Sequence, residues 1–154
     1  MEVLILLGSK SDLSIGQEAK KVLDQFGISN RIAIASAHRS PERVREMVRG
    51  SEARVFIGIA GMSAALPGVI ASMTVRPVIG VPANAKLGLD SVLSVTQMPP
   101  GVPVAAVGLD RGENAGLLAA QILAVGNPEL TQRLLRHKQE MEAKVAQDSE
   151  AIGS

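Results

Sequence analysis

Val3-Leu4-Ile5-Leu6-Leu7-Gly8-Ser9-Lys10-Ser11-Asp12 joins five apolar residues to a glycine and a polar turn. A short apolar run bounded by turn residues reads as a strand buried on both faces. Beyond it Ile15, Ala19, Val22, Leu23 and Phe26 recur at helical spacing, and Gly27 stands where a left-handed C-terminal cap is wanted. The unit then repeats. Ile32 to Ala35 reads as a second strand, Ser36 to Pro41 as a polar loop, and Glu42 to Arg49 as a helix with Val44, Met47 and Val48 inward and Pro41 in its first turn. Val55 to Ala60 is a third strand, followed by Gly61-Met62-Ser63 and a helix carrying Leu66, Val69, Ile70 and Met73. Val78 to Val81 makes a fourth strand and, after a long loop, Val102 to Val107 a fifth. Asn114 opens a helix that is apolar nearly all round from Ala115 to Val125, so it must be covered on two sides.

Short β-branched strands alternating with helices call for a parallel sheet covered on both faces. Five such strands predict an α/β, flavodoxin-like three-layer αβα sandwich with a C-terminal helical arm. In this architecture ligands sit beyond the carboxyl ends of the strands, where strand order reverses. Ser9, Asp12, His38, Arg39 and Gly61 all follow strands, so distant segments are expected to converge on one crevice. Residues 1–126 form the expected catalytic domain. Asn127-Pro128, a cap residue and a favoured first helical residue, begins an arm over residues 127–154 that is helical to about Asp148. Leu130, Leu134, Met141 and Val145 give it a narrow apolar stripe that is expected to dock on a neighbouring subunit.

Composition narrows the function. Of 154 residues 46% are hydrophobic, which supports a real core and excludes disorder. Sixteen Lys and Arg against fifteen Asp and Glu leave a formal charge of +1, and the only aromatics are two Phe. Such a chain has no bulk field and few stacking rings for nucleic acid, which is not an expected partner. With no cysteine there is no thiol nucleophile, iron–sulfur cluster or Cys-ligated zinc, and the two histidines are too differently placed to make a metal site. No window is long and apolar enough for a membrane span and no leader pattern opens the sequence, so the expected address is the cytoplasm.

Three segments offer chemistry. Gly8 to Asp12 is a small-residue turn before a helix, where main-chain amides and the helix dipole suit a phosphate, or where Ser11 or Asp12 simply caps the helix. It has the glycine spacing of neither the dinucleotide fingerprint nor the P-loop. Ser36-Ala37-His38-Arg39-Ser40-Pro41 places an imidazole beside a guanidinium. Arg39 can clamp a phosphate and His38 can move a proton near neutral pH, or both can belong to a solvated loop. Gly58 to Gly68 is small and apolar, allowing either close approach of a substrate or tight helix–sheet packing. His137, between Arg136 and Lys138 on the arm, reads as a solvated helical residue.

Together these segments resemble the PurE family of purine biosynthesis, which comprises carboxyaminoimidazole ribonucleotide mutases and aminoimidazole ribonucleotide carboxylases. GSKSD at Gly8 to Asp12, SAHRSPE at Ser36 to Glu42 and LPGVIA at Leu66 to Ala71 carry the resemblance. PVIGVP at Pro77 to Pro82, LDSVLSVTQMPPGVPVA at Leu89 to Ala105 and NAGLLAAQIL at Asn114 to Leu123 extend it in the family's order. The resemblance implies a homo-octamer with active sites where subunits meet, a phosphorylated aminoimidazole ribonucleotide as substrate, and no cofactor. It further implies that Ser9, Asp12 and Arg39, with Ser11 and Ser36 beside them, bind the ribose phosphate, that His38 is the acid–base residue, and that Gly61 lies near the migrating carboxylate. One departure stands out. Mutase-type members read AGGAAHLPG at the third loop, whereas this chain reads AGMSAALPG from Ala60 to Gly68, with Ala65 in the histidine's place. Direct carboxylases also lack that histidine but tend to carry Lys at the position of Arg39 and to lack Pro67, so the resemblance implies the mutase, with the carboxylase as the alternative and a metabolite-binding flavodoxin-like module without turnover as the non-enzymatic one.

Overall fold

The computed structural model describes residues 1–83 and 89–152. Five parallel strands, β1 (Val3–Leu7), β2 (Asn30–Ile34), β3 (Val55–Ala60), β4 (Val78–Pro82) and β5 (Ala105–Ala106), form one sheet in the order β2-β1-β3-β4-β5. This is the flavodoxin-like order, with its reversal between β1 and β3. β1, β3 and β4 are buried along their whole length. Their alternate residues divide the core in two. Val3, Ile5, Leu7, Ile57, Ile59, Ile79 and Val81 pack under α1 (Leu13–Gln25), α5 (Gly112–Ala124) and the start of α6 (Pro128–Ile152). Leu4, Leu6, Phe56 and Val78 pack under α2 (Pro41–Arg49), α3 (Leu66–Ala71) and α4 (Leu89–Thr96). The predicted three-layer sandwich is present.

The sheet seats α3 closely because two glycines are register partners. Gly58 of β3 pairs with Gly80 of β4. A Cβ on Gly58 would lie 3.1 Å from the Pro67 Cα, and one on Gly80 2.5 Å from Val95 Cγ1. Their absence lets α3 and α4 settle on the sheet and fixes the loop that leads into α3. At the opposite end of the strands, Arg76 ties three segments together. Its guanidinium donates to the carbonyls of Ser51, Ala53 and Val48 at 2.7, 2.6 and 3.0 Å and lies 4.7 Å from the centre of the Phe56 ring.

Four details depart from the sequence reading. The connection before β5 contains the helix α4, where a loop was expected. β5 itself pairs over only Ala105–Ala106, because Pro103 has no N–H to give a ladder and Val102 is held in a turn by its bond to the Pro99 carbonyl. The arm divides: Leu130 is buried in the core beside α5, while Met141, Val145 and Ile152 are exposed. The apolar helix α5 is thus covered on its second side by the chain's own arm. His137 packs edge-on to Phe26, with ring centres 5.5 Å apart, instead of standing in solvent. Asn127 caps α6 as expected, its Oδ1 accepting the Leu130 amide at 3.1 Å, and Gly27 ends α1 with φ +69°. Among the described residues no helix is long and apolar enough to cross a membrane.

Candidate active site

A cavity of about 780 Å³ opens beyond the carboxyl ends of the strands, at the switch point. It is lined by Ser9, Ser11 and Asp12 after β1, by Ser36, His38 and Arg39 after β2, and by Gly61 after β3. Every site residue singled out in the sequence therefore meets the others here. Ala60, Ala64 and Leu66 supply an apolar wall, with Ala60 and Ala64 buried.

The first loop is built differently from expectation. Ser9 caps a single 3-10 turn, Lys10–Asp12, and Asp12 returns a bond to the Ser9 amide at 3.0 Å, a reciprocal capping box. Asp12 also stands at the N-cap position of α1, as the sequence allows, but its side chain makes no capping bond to that helix. The amides of Gly8, Ser9, Ser11 and Asp12 are all taken within the protein, by Ile59 O, Asp12 Oδ2, Ser9 Oγ and Ser9 O. These four amides are therefore partnered within the protein, the longest of the bonds being that of Ser11 at 3.4 Å. Asp12 is only 7% exposed, and burial raises its carboxyl above the ordinary range. The Ser11 hydroxyl, the Ser9 amide and the Arg39 charge oppose that rise, while Asp110 adds to it.

The second loop is rigid. Ser40 Oγ accepts the Ser36 amide at 3.0 Å and the Ser40 amide returns to the Ser36 carbonyl at 2.9 Å. Arg39 then bridges two loops: Nε donates to Ser36 Oγ at 3.3 Å and Nη2 to the Gly8 carbonyl at 2.9 Å. A guanidinium carries five N–H donors, so most remain for a ligand. His38 and Arg39 are exposed in the single chain, yet both face the cavity.

The third loop is strained. Met62 and Ala64 adopt φ values of +52° and +34°, a region that costs a side chain roughly 1–2 kcal/mol. Both line the cavity. The family pattern has glycine where this chain has Met62, which is where the backbone calls for one. Sequence reasoning missed Asp110, a cavity residue from the connection between β5 and α5. It too has positive φ, +57°, and its amide donates to the Pro82 carbonyl at the end of β4 at 2.9 Å. Among the described residues no group of three or more His, Asp or Glu is arranged to hold a metal ion.

Fold and cavity together define a doubly wound α/β protein with a ligand crevice at its switch point. The family model described as AIR carboxylase matches residues 2–144, and this chain belongs to that family. It is 50% identical, over 97% of its length and 96% of the relative's, to the N5-carboxyaminoimidazole ribonucleotide mutase of Methanocaldococcus jannaschii. It is 45% identical, over 97% and 92%, to the protein of that name in Thermotoga maritima. Among solved structures it is similar to Treponema denticola PurE, with a TM-score of 0.88, 29% identity and 96% of each chain covered.

Proposed function

We propose that this protein is an N5-carboxyaminoimidazole ribonucleotide mutase of purine biosynthesis. The observation that carries the reading is that Ser9, Asp12, His38, Arg39 and Gly61, from three separate loops, share one cavity in a chain half identical to a protein of that name.

The reaction moves a carboxyl group from an exocyclic nitrogen to a ring carbon. The N–C bond of the carbamate breaks, the nitrogen takes a proton, and CO₂ is released. The ring carbon then attacks CO₂, forms the new C–C bond and loses its own proton. Protons balance if one imidazole delivers the first and collects the second, the role given to His38. Arg39 grips the phosphate with the N–H donors that do not bridge Gly8 and Ser36, and the hydroxyls of Ser9 and Ser36 complete the grip, while that of Ser11 donates to Asp12 at 3.1 Å. Asp12 holds Ser9 and Ser11 in place through its two oxygens. Ala60, Gly61 and Ala64 form the wall beside CO₂, where few groups attract water.

In this reading the enzyme works in the cytoplasm as a homo-octamer. The exposed stripe of Met141 and Val145 meets a neighbouring subunit, and assembly covers His38 and Arg39. The direct-carboxylase reading rests on Ala65 alone, whereas relatives at 45–50% identity carry the mutase name. Purified protein supplied with the carbamate at low bicarbonate tests the choice. Rapid formation of the carboxylated product is expected; product formed only from aminoimidazole ribonucleotide with added CO₂ would overturn it.

A further inference from the structure

The turn after β3 presents a side chain that takes no part in the proton or phosphate chemistry. The Gly61 carbonyl accepts the Ala64 amide at 3.0 Å, which closes a tight turn with Met62 at its first corner. Met62 lines the cavity and is 72% exposed, and among the described residues no other exposed large apolar side chain lines it. Its φ of +52° is a conformation that glycine adopts freely and methionine does not. Backbone strain of this kind persists where a site has a use for it.

The reaction has one need that the alanine wall alone does not meet. Between the breaking of the N–C bond and the making of the C–C bond, CO₂ is a small uncharged molecule, and a cavity of about 780 Å³ is far larger than it is. Ala60, Ala64 and Ala65 offer single methyl groups, and Leu66, which also lines the cavity, is 1% exposed and held in the core. Between Ala60 and Ala65 the one long apolar side chain is that of Met62. An unbranched thioether with three rotatable bonds adapts to a small apolar neighbour and moves aside when the nucleotide enters. CO₂ that stays is captured by the ring carbon; CO₂ that reaches water leaves aminoimidazole ribonucleotide behind.

We propose that Met62 closes over the CO₂ released from the carbamate and decides between its capture and its escape. The assignment rests on the mutase reading, and what is measured is the fate of a label rather than a rate. The probe is the carbamate carrying ¹³C in its carboxyl group, turned over by the full chain in unlabelled bicarbonate, with the loss in the absence of protein subtracted. Retained CO₂ gives labelled product; escaped CO₂ gives free aminoimidazole ribonucleotide and, on recapture from solution, unlabelled product. Met62→Gly removes the side chain and relieves the backbone, Met62→Asn puts a short polar side chain on a residue that tolerates the same φ, and Met62→Leu keeps the apolar reach.

Wild type is expected to pass most of its label to the product. Met62→Gly and Met62→Asn should lose about fourfold more label per product formed, the worth of one methylene-sized apolar contact, and Met62→Leu should stay near wild type. Calorimetric binding of the nucleotide should be unchanged in these variants, which separates retention of CO₂ from a general loosening of the site. Label retained equally by Met62→Gly and wild type, or lost by Met62→Leu as readily as by Met62→Gly, would overturn the proposal. So would a loss of label matched by an equal loss of nucleotide affinity. A wild type that forms product only from aminoimidazole ribonucleotide with added CO₂, and none from the labelled carbamate, would overturn the mutase reading and this proposal with it.

Discussion

The guanidinium of Arg39 donates to the carbonyl oxygen of Gly8 at 2.9 Å, joining the loop after β2 to the loop after β1. This bond spans the edge of the switch point and places the positive charge beside Ser9. It makes Arg39 a brace between the two loops, beside the phosphate clamp proposed for its remaining N–H donors. Arg39→Ala is expected to weaken nucleotide binding at least tenfold while leaving the phosphate-free nucleoside almost unaffected, as paired titrations would reveal. Equal losses for both ligands would mean that the brace matters and the clamp does not.

Asp12 links pH to stability. Its carboxyl is raised by burial, so the folded chain holds a proton that the unfolded chain has already released. Stability from this group is therefore present at low pH. It falls as pH climbs from the ordinary carboxylate value to the higher folded one. Asp12→Asn should flatten that portion of the curve of denaturant midpoint against pH. A wild-type curve whose fall survives the substitution would assign it to another group.

Met62 carries strain that a glycine would not. Met62→Gly is expected to stabilise the chain by about 1 kcal/mol, read as a higher urea midpoint with an unchanged slope. A destabilised variant would show that the methionine side chain earns more by its contacts than the left-handed backbone costs.

Gly112 has the opposite sensitivity. Gly112→Ala sets a methyl group against the Ile15 carbonyl and should cost about 2–3 kcal/mol, with α5 displaced from α1. Normal stability in Gly112→Ala would mean the two helices separate freely.

Arg76 is the structural counterpart of Arg39 at the other end of the sheet. Arg76→Met keeps an unbranched side chain but removes the guanidinium that lies over Phe56 and strands the carbonyls of Val48, Ser51 and Ala53. A loss of about 2–4 kcal/mol is expected in chemical unfolding, without a change in the active-site titrations.

Most of the architecture was legible because strands buried on both faces leave unbroken apolar runs, as Val3–Leu7 and Val55–Ala60 do. β5 misled because Val102, Val104 and Val107 look like a strand while Pro103 interrupts its ladder. α4 was hidden in a stretch whose neighbours, Gln97 to Pro103, are rich in proline. The arm's inner half was hidden because a stripe at helical spacing does not say which surface it meets: Leu130 finds α5 of its own chain. Ser9, Ser11, Asp12, Ser36, His38, Arg39 and Gly61 were legible as polar or glycine residues following strands. Asp110 was not, since a lone aspartate between Leu109 and Arg111 looks like any helix approach. Only the contact of Gly112 with Ile15 brings it to Asp12's side.

The proposed mechanism requires His38 to move the proton within a cavity whose other residues bind the nucleotide. The direct measurement is turnover of the carbamate by His38→Asn alongside calorimetric binding of the same nucleotide. A fall in kcat of about 10²–10⁴-fold with the dissociation constant nearly unchanged is the predicted result. Turnover at the wild-type rate would contradict the account.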